Sequence, residues 1–243
     1  MEEIIFPDTV REIGNYIFYG CKKLRKLEFS DALVRIGGGA FTGCGGLAFL
    51  KVHMKSGRQS CVKEILGELW QRIDVTFCYE QEGRKAVLVF PEHYEEAVEN
   101  TPARIIETHF HGTGYQYRQS FLRGEIDYRK YDDVFPVAAV QEDPDIIWKI
   151  LSGRMLMPYG MSDFAWMQYE GYINQHQCEM MNYLTEENQM PFVQFMAEKN
   201  YFTKDGIEAA IDWASKKHKT ELLSFLMNEQ HKRFPKKKKT FEL

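Results

Sequence analysis

Two short bursts of apolar residues, Leu24 to Phe29 and Leu47 to Val52, follow a glycine–cysteine pair at the same offset. Each clusters or alternates apolar positions as a short parallel strand does. Residues 6–28 and 29–51 superpose without a gap at a spacing of 23 residues and are identical at nine positions. The matched pairs are Phe6/Phe29, Asp8/Asp31, Ile13/Ile36, Gly14/Gly37, Phe18/Phe41, Gly20/Gly43, Cys21/Cys44, Leu24/Leu47 and Leu27/Leu50. A period of ~20–29 residues with leucines at fixed offsets marks a leucine-rich solenoid. One coil cannot bury its own apolar face and needs a copy stacked on each side. The expected repeat core is therefore Ile13, Phe18, Cys21, Leu24 and Leu27 in one coil, and Ile36, Phe41, Cys44, Leu47 and Leu50 in the next. Phe18 and Phe41 are expected to stack in register, with Ile13 and Ile36 pointing in from the return side. The four matched glycines are expected at tight turns. The paired cysteines are expected as small buried residues rather than a disulfide.

Two coils need a cap, because about three stacked repeats are usually required. Val62, Ile65, Leu66 and Leu69 fall at helical spacing and Ile73 to Tyr79 alternates like a strand, which predicts a degenerate coil or a helix–strand cap. Arg84 to Phe90 reads as a buried strand, Pro91 as its end and the start of a short helix through Val98, and Arg104 to Phe110 as extended. The stretch from His109 to Arg118 reads as a turn passing into a half-buried strand. Tyr128, Tyr131 and Phe135 have inward helical spacing. From Asp143 the period becomes that of helices. Asp143–Pro144, Ser162, Pro191, Thr203 and Thr220 are the expected helix starts, and Gly153 the end of the first. Short connections predict antiparallel neighbours. Met and aromatic residues here, such as Trp148, Trp166, Met167, Met180 and Met181, read as core.

The string IGxxxFxGCxxLxxL, Ile13 to Leu27 and Ile36 to Leu50, resembles the BspA-type leucine-rich repeat of bacterial proteins. Pro7–Asp8 is similar to that family's inter-repeat turn. The resemblance implies a coil made of a short strand, a turn and an irregular or short helical return. It also implies binding of other proteins or carbohydrates through the solenoid face. Phe192 to Phe234, with Ala209, Ala210, Ala214 and the run Leu222 to Leu226, resembles the paired helices of ankyrin-like repeats. The expected fold class is α/β: a short leucine-rich solenoid with cap (1–80), a mixed α/β region (81–140), an antiparallel helical array (141–235) and a basic tail (236–243).

Chemistry-bearing residues are sparse. His109 and His111 share a strand face, and imidazole is a common metal ligand, but no further ligand has supporting spacing. No metal and no cofactor is therefore expected. Tyr115, Tyr117 and Arg118 have the composition of a protein-binding hot spot. There is no GxSxG, no P-loop and no paired catalytic carboxylates. The formal net charge is −4, but residues 216–239 alone carry +7. A short basic run without a recognition element argues against nucleic acid as a partner. No apolar stretch approaches the ~20 residues that span a bilayer. An acidic start without an apolar run is not a secretory signal, and five cysteines without CxxC spacing fit a reducing compartment. The expected function is non-catalytic protein–protein interaction in the cytoplasm. The alternatives are a metal protein or enzyme using His109 and His111, and a fragment of a cell-surface adhesin whose export signal lies outside this sequence.

Overall fold

The computed structural model describes residues 1–100, 105–186 and 189–235, with side chains for all of these except 97–100, 105–110, 182, 185 and 186. The basic tail 236–243 lies outside the described residues. The chain divides into two compact units, Met1–Ala165 and Trp166–Leu243.

The first unit is built on a five-stranded sheet. Strands β1 (Glu3–Ile5), β3 (Lys26–Ser30), β5 (Phe49–Met54) and β6 (Ile73–Tyr79) run parallel, and β7 (Arg84–Phe90) closes the sheet antiparallel to β6. Glu3 pairs with Lys26 and Lys26 with Phe49, so the strand register repeats the 23-residue period. Phe49 pairs with Asp74, so the third coil is two residues longer. The returns of the first two coils carry β2 (Glu12–Ile13) and β4 (Arg35–Ile36), parallel with Ile13 opposite Ile36. The third return is the helix α1 (Val62–Gly67). The cap is thus a third turn of the same solenoid, three parallel coils closed by one reversed strand.

Burial follows the stacking. Ile13, Leu24, Leu27, Phe41, Cys44, Leu47 and Leu50 are buried. Phe18, Cys21 and Ile36 are half-buried. Phe18 and Cys21 belong to the first coil, which is covered on one side only. Gly20 and Gly43 hold positive φ, +69° and +77°, as their turns require. Gly37 has ordinary φ, but a Cβ there would lie 2.3 Å from Asn15 N.

Backbone groups between coils pair in the same period. Tyr16 N–H donates to Gly38 O (3.2 Å) and Phe18 N–H to Ala40 O (3.0 Å). The equivalent donors of the second coil, Gly39 N and Phe41 N, meet the two carboxylate oxygens of Glu68 at 2.8 and 2.6 Å. One side chain at the end of α1 replaces two carbonyls that a regular third coil would offer.

Downstream, Pro91 ends β7 but no helix follows. Residues 94–100 form β8 (Tyr94–Asn100), antiparallel to β9 (Ile105–His111). The expected helix had little to stabilise it, since its apolar positions were too few for a buried face, while the pairing satisfies every second backbone group. Tyr115 and Tyr117, expected on a strand, lie on the short helix α2 (Gly114–Arg118). There Gly114 packs so close that a Cβ would meet Pro91 O at 2.1 Å. A small hairpin, β10 (Phe121–Leu122) and β11 (Glu125–Ile126), leads to α3 (Tyr128–Asp133), α4 (Phe135–Gln141) and α5 (Pro144–Leu156). Gly153 does not end α5. It lies against β7, where a Cβ would meet Val87 O at 2.9 Å. Tyr131 seals the free edge of β7, its hydroxyl donating to Val89 O (2.7 Å) and accepting from Val89 N–H (2.9 Å). Buried Arg154 holds buried Asp132 in a fork, Nε and Nη2 at 2.7 and 2.8 Å from the two carboxylate oxygens.

The helix α6 (Asp163–Gln175), opened by Ser162 accepting from Ala165 N–H, runs into the second unit. That unit holds α7 (Gln177–Glu186), α8 (Met190–Glu198), α9 (Lys204–Lys216) and α10 (Thr220–Arg233), with α9 packed on both α7 and α10. Thr203 caps α9 through Gly206 N–H, and buried Gln177 accepts from Thr203 N–H at 2.8 Å. Thr220 is the first residue of α10 rather than its cap, and no side chain caps that end.

Candidate interaction surface

A strand sends alternate side chains to opposite faces. Leu27, Phe29, Leu50, Val52, Val75 and Phe77 therefore fill the solenoid interior, and the residues between them form its outer face. That face carries Glu3 and Ile5 on β1, Lys26 and Glu28 on β3, and Phe49, Lys51 and His53 on β5. The charges interlock across the coils. Lys26 Nζ lies 2.5 Å from Glu3 and 3.4 Å from Glu28. Glu28 also accepts from Lys51 Nζ at 2.9 Å and sits 2.8 Å from His53 Nε2. His53 Nδ1 is 2.8 Å from Glu80. Partial burial pushes the Glu28 carboxyl up, but Lys51 and His53 outweigh it and hold it at about 2. Ile5 and Phe49, 63% and 48% exposed, flank this ladder. Toward β7 the outer face is covered instead: Val89 is buried, Gly153 of α5 lies on Val87, and burial raises the Asp74 carboxyl against the pull of Arg72 and Lys149. The open part is thus the ladder on β1, β3 and β5.

The sequence-derived anchors fall elsewhere. Tyr117 and Arg118 are buried, so neither can serve as an exposed anchor. The Arg118 guanidinium donates to four main-chain carbonyls: Pro91 (2.7 Å), Gln71 (2.9 Å), Gly114 (3.0 Å) and Leu66 (3.2 Å). Burial lowers it to about 10, still protonated at neutral pH. It ties the end of the solenoid to α2. Tyr117 packs its ring 4.6 Å from that of Tyr131. Tyr115 is half-buried, its ring 6.3 Å from that of His93. The composition of a hot spot was present, but helical spacing turns Tyr117 and Arg118 inward.

His111 stacks on Tyr94 at 4.5 Å and its Nε2 lies 2.9 Å from Glu96 across the hairpin. The backbone of His109 lies in β9, and its side chain is outside those described. Among the described residues no three His, Cys, Asp or Glu side chains are grouped to hold a metal. The thiols of Cys44, Cys61 and Cys78 are all raised by burial, Cys61 to about 12, which keeps them protonated and poor nucleophiles. A groove of about 500 Å³ beside the β10–β11 turn is lined by side chains of both signs, among them Asp31, Arg58, Glu64, Arg123 and Glu125. No helix among the described residues is long and apolar enough to cross a membrane.

The charge ladder was legible only in part. Its residues sit at the polar positions of the apolar alternation, but their contacts depend on the register between coils.

A family model described as the BspA type leucine rich repeat region (6 copies) matches residues 1–63, and the match does not reach the C-terminal helices. No curated protein and no solved structure matches the chain. The 23-residue register, the stacked returns and this match together make residues 1–63 a BspA-type leucine-rich repeat region.

Proposed function

We propose that the chain is a non-catalytic protein-binding scaffold, and that its partner docks on the outer face of β1, β3 and β5. The observation that carries this reading is the pair of exposed apolar side chains, Ile5 and Phe49, set beside a preorganised array of opposite charges. Apolar anchors supply affinity, and neighbouring charges fix register and exclude wrong partners. The ladder is already paired, so little side-chain ordering remains to oppose binding. The unpaired cysteines support a reducing compartment.

The test is cross-linking mass spectrometry of the tagged protein in its native host, beside a Phe49→Asp/Lys51→Glu variant. The reading expects partner cross-links to concentrate on this face and the variant to lose the partner while unfolding at a similar temperature. Recovery of the same partners at equal yield by both proteins rules the face out.

A further inference from the structure

The turns that lead into the parallel strands differ in one row of side chains. Lys26, Phe49 and Asp74 pair in register across β3, β5 and β6. The residue four positions ahead of each is Lys22 in the first coil, Gly45 in the second and Trp70 in the third. Stacking sets equivalent positions side by side, so Gly45 is a notch between a lysine and an indole. The next row is Lys23, Gly46 and Gln71. Packing demands the glycine at 46, where a Cβ would meet Lys22 O at 2.2 Å. It makes no such demand at Gly45, which has no positive φ and whose Cβ would meet nothing within 4 Å. The fold would accept a side chain there, and its absence leaves a groove of about 380 Å³.

The two walls of the groove differ in chemistry. Lys22 and Arg25 stand on one side, both exposed and, among the described residues, without an acidic partner. Arg25 Nη1 donates to Gly46 O (3.1 Å), which orients the guanidinium and leaves its Nε–Nη2 edge open. Trp70 forms the other wall and is 65% exposed. On the floor, Gln71 Nε2 donates to Cys44 O and Leu47 O, both at 3.0 Å. Glu68 also lines the groove, but its two oxygens already hold the N–H groups of Gly39 and Phe41. Beyond the indole lies a second depression of about 290 Å³, walled by Trp70, His93, Tyr94 and Glu95. The channel therefore passes on both sides of Trp70, with cations at one end and a carboxylate at the other.

We propose that this groove captures the C-terminus of a partner peptide. The terminal carboxylate takes the open edge of Arg25, a planar fork that matches two carboxylate oxygens, with Lys22 beside it. The last side chain, bulky and apolar, fills the Gly45 notch against the Trp70 indole. The preceding residues run past the indole toward Tyr94, where a cationic side chain suits Glu95. The second depression is what favours a peptide over a free small acid, because the channel continues beyond the space one residue fills. Carboxylate capture beside a turn is a recurring mode of peptide recognition. The floor and the Arg25 side chain are already tied to the main chain, so little ordering opposes binding.

The test is fluorescence anisotropy with two labelled pentapeptides, each with lysine second and either phenylalanine or leucine last, as free acids and as C-terminal amides. At least one free acid is expected to bind and its amide to bind ~10-fold or more weakly. Arg25→Gln and Trp70→Ala are each expected to weaken binding ~10-fold or more. Gly45→Lys, which gives the second coil the residue of the first, should fill the notch and abolish binding. All three positions are exposed, and thermal melts should match that of the wild type. Failure of both free acids to bind the wild-type protein overturns the proposal. So does equal binding of acid and amide, which would assign the groove to internal segments, or undiminished binding by the folded Gly45→Lys variant.

Discussion

The rings of Phe18 and Phe41 lie 5.4 Å apart and 24° from parallel, one in each of two successive coils. Phe18 has Phe6 on its other side at 6.0 Å, and both belong to the first coil. Phe41 is fully buried. Truncating it leaves a cavity that the coils above and below hold open. Phe41→Ala should cost ~3–5 kcal/mol and Phe18→Ala markedly less, because its site can fill with water. Denaturant midpoints of the two variants at equal m-value check this. An equal cost for both would mean the coils do not stack as one core.

Glu68 supplies two acceptors to the main chain of the second coil. Glu68→Ala leaves Gly39 N–H and Phe41 N–H to find water at a half-buried site, a loss of ~1–3 kcal/mol. Hydrogen exchange at these two amides should rise well above that of Phe18, whose acceptor is the Ala40 carbonyl. Unchanged protection at Gly39 and Phe41 would contradict the role given to Glu68.

Arg118→Met keeps much of the side-chain volume but removes a donor from each of four carbonyls. It should destabilise the first unit by ~3 kcal/mol or more, read as a lowered urea midpoint. Partner binding, measured below that midpoint, should be unaffected. Weakened binding by a fully folded variant would restore Arg118 to the interface.

Gly153→Ala places a methyl group 2.9 Å from Val87 O and 3.2 Å from Val87 Cγ1. The neighbour is strand backbone and yields little. The helix-propensity gain is outweighed, and a net loss of ~1–3 kcal/mol is expected by thermal melting.

Two groups contribute to the acid limit. Burial and the charge of Arg118 lower the His93 imidazole to about 4. The unfolded chain therefore binds that proton more readily, and stability falls as pH drops from about 6.5 toward 4. Glu28, held at about 2, adds stability that is whole above about 4.5 and is lost as pH falls toward 2. Melting temperature against pH should show both slopes. His93→Asn should flatten the upper window alone, and Glu28→Gln the lower alone.

The repeat period, its strand segments and the residues that face the coil interior were legible in the chain because stacking imposes one periodic constraint on sequence and structure alike. Helix starts at Pro144 and Pro191 were legible because proline suits the first turn of a helix, and the start at Thr203 because its cap is a local contact. Residues 94–100 were not, since a strand whose partner is another strand carries little signal of its own. Nor was the fate of Tyr117 and Arg118: composition cannot distinguish an arginine that waits for a partner from one that holds four carbonyls together. The sequence by itself determined the ladder of coils. Only the tertiary structure decided that the expected helix–strand cap stacks as a third parallel coil, that Glu68 stands in for missing carbonyls, and that the outer charges interlock. Each of these joins groups distant along the chain, and their energy exists only once the coils are in register.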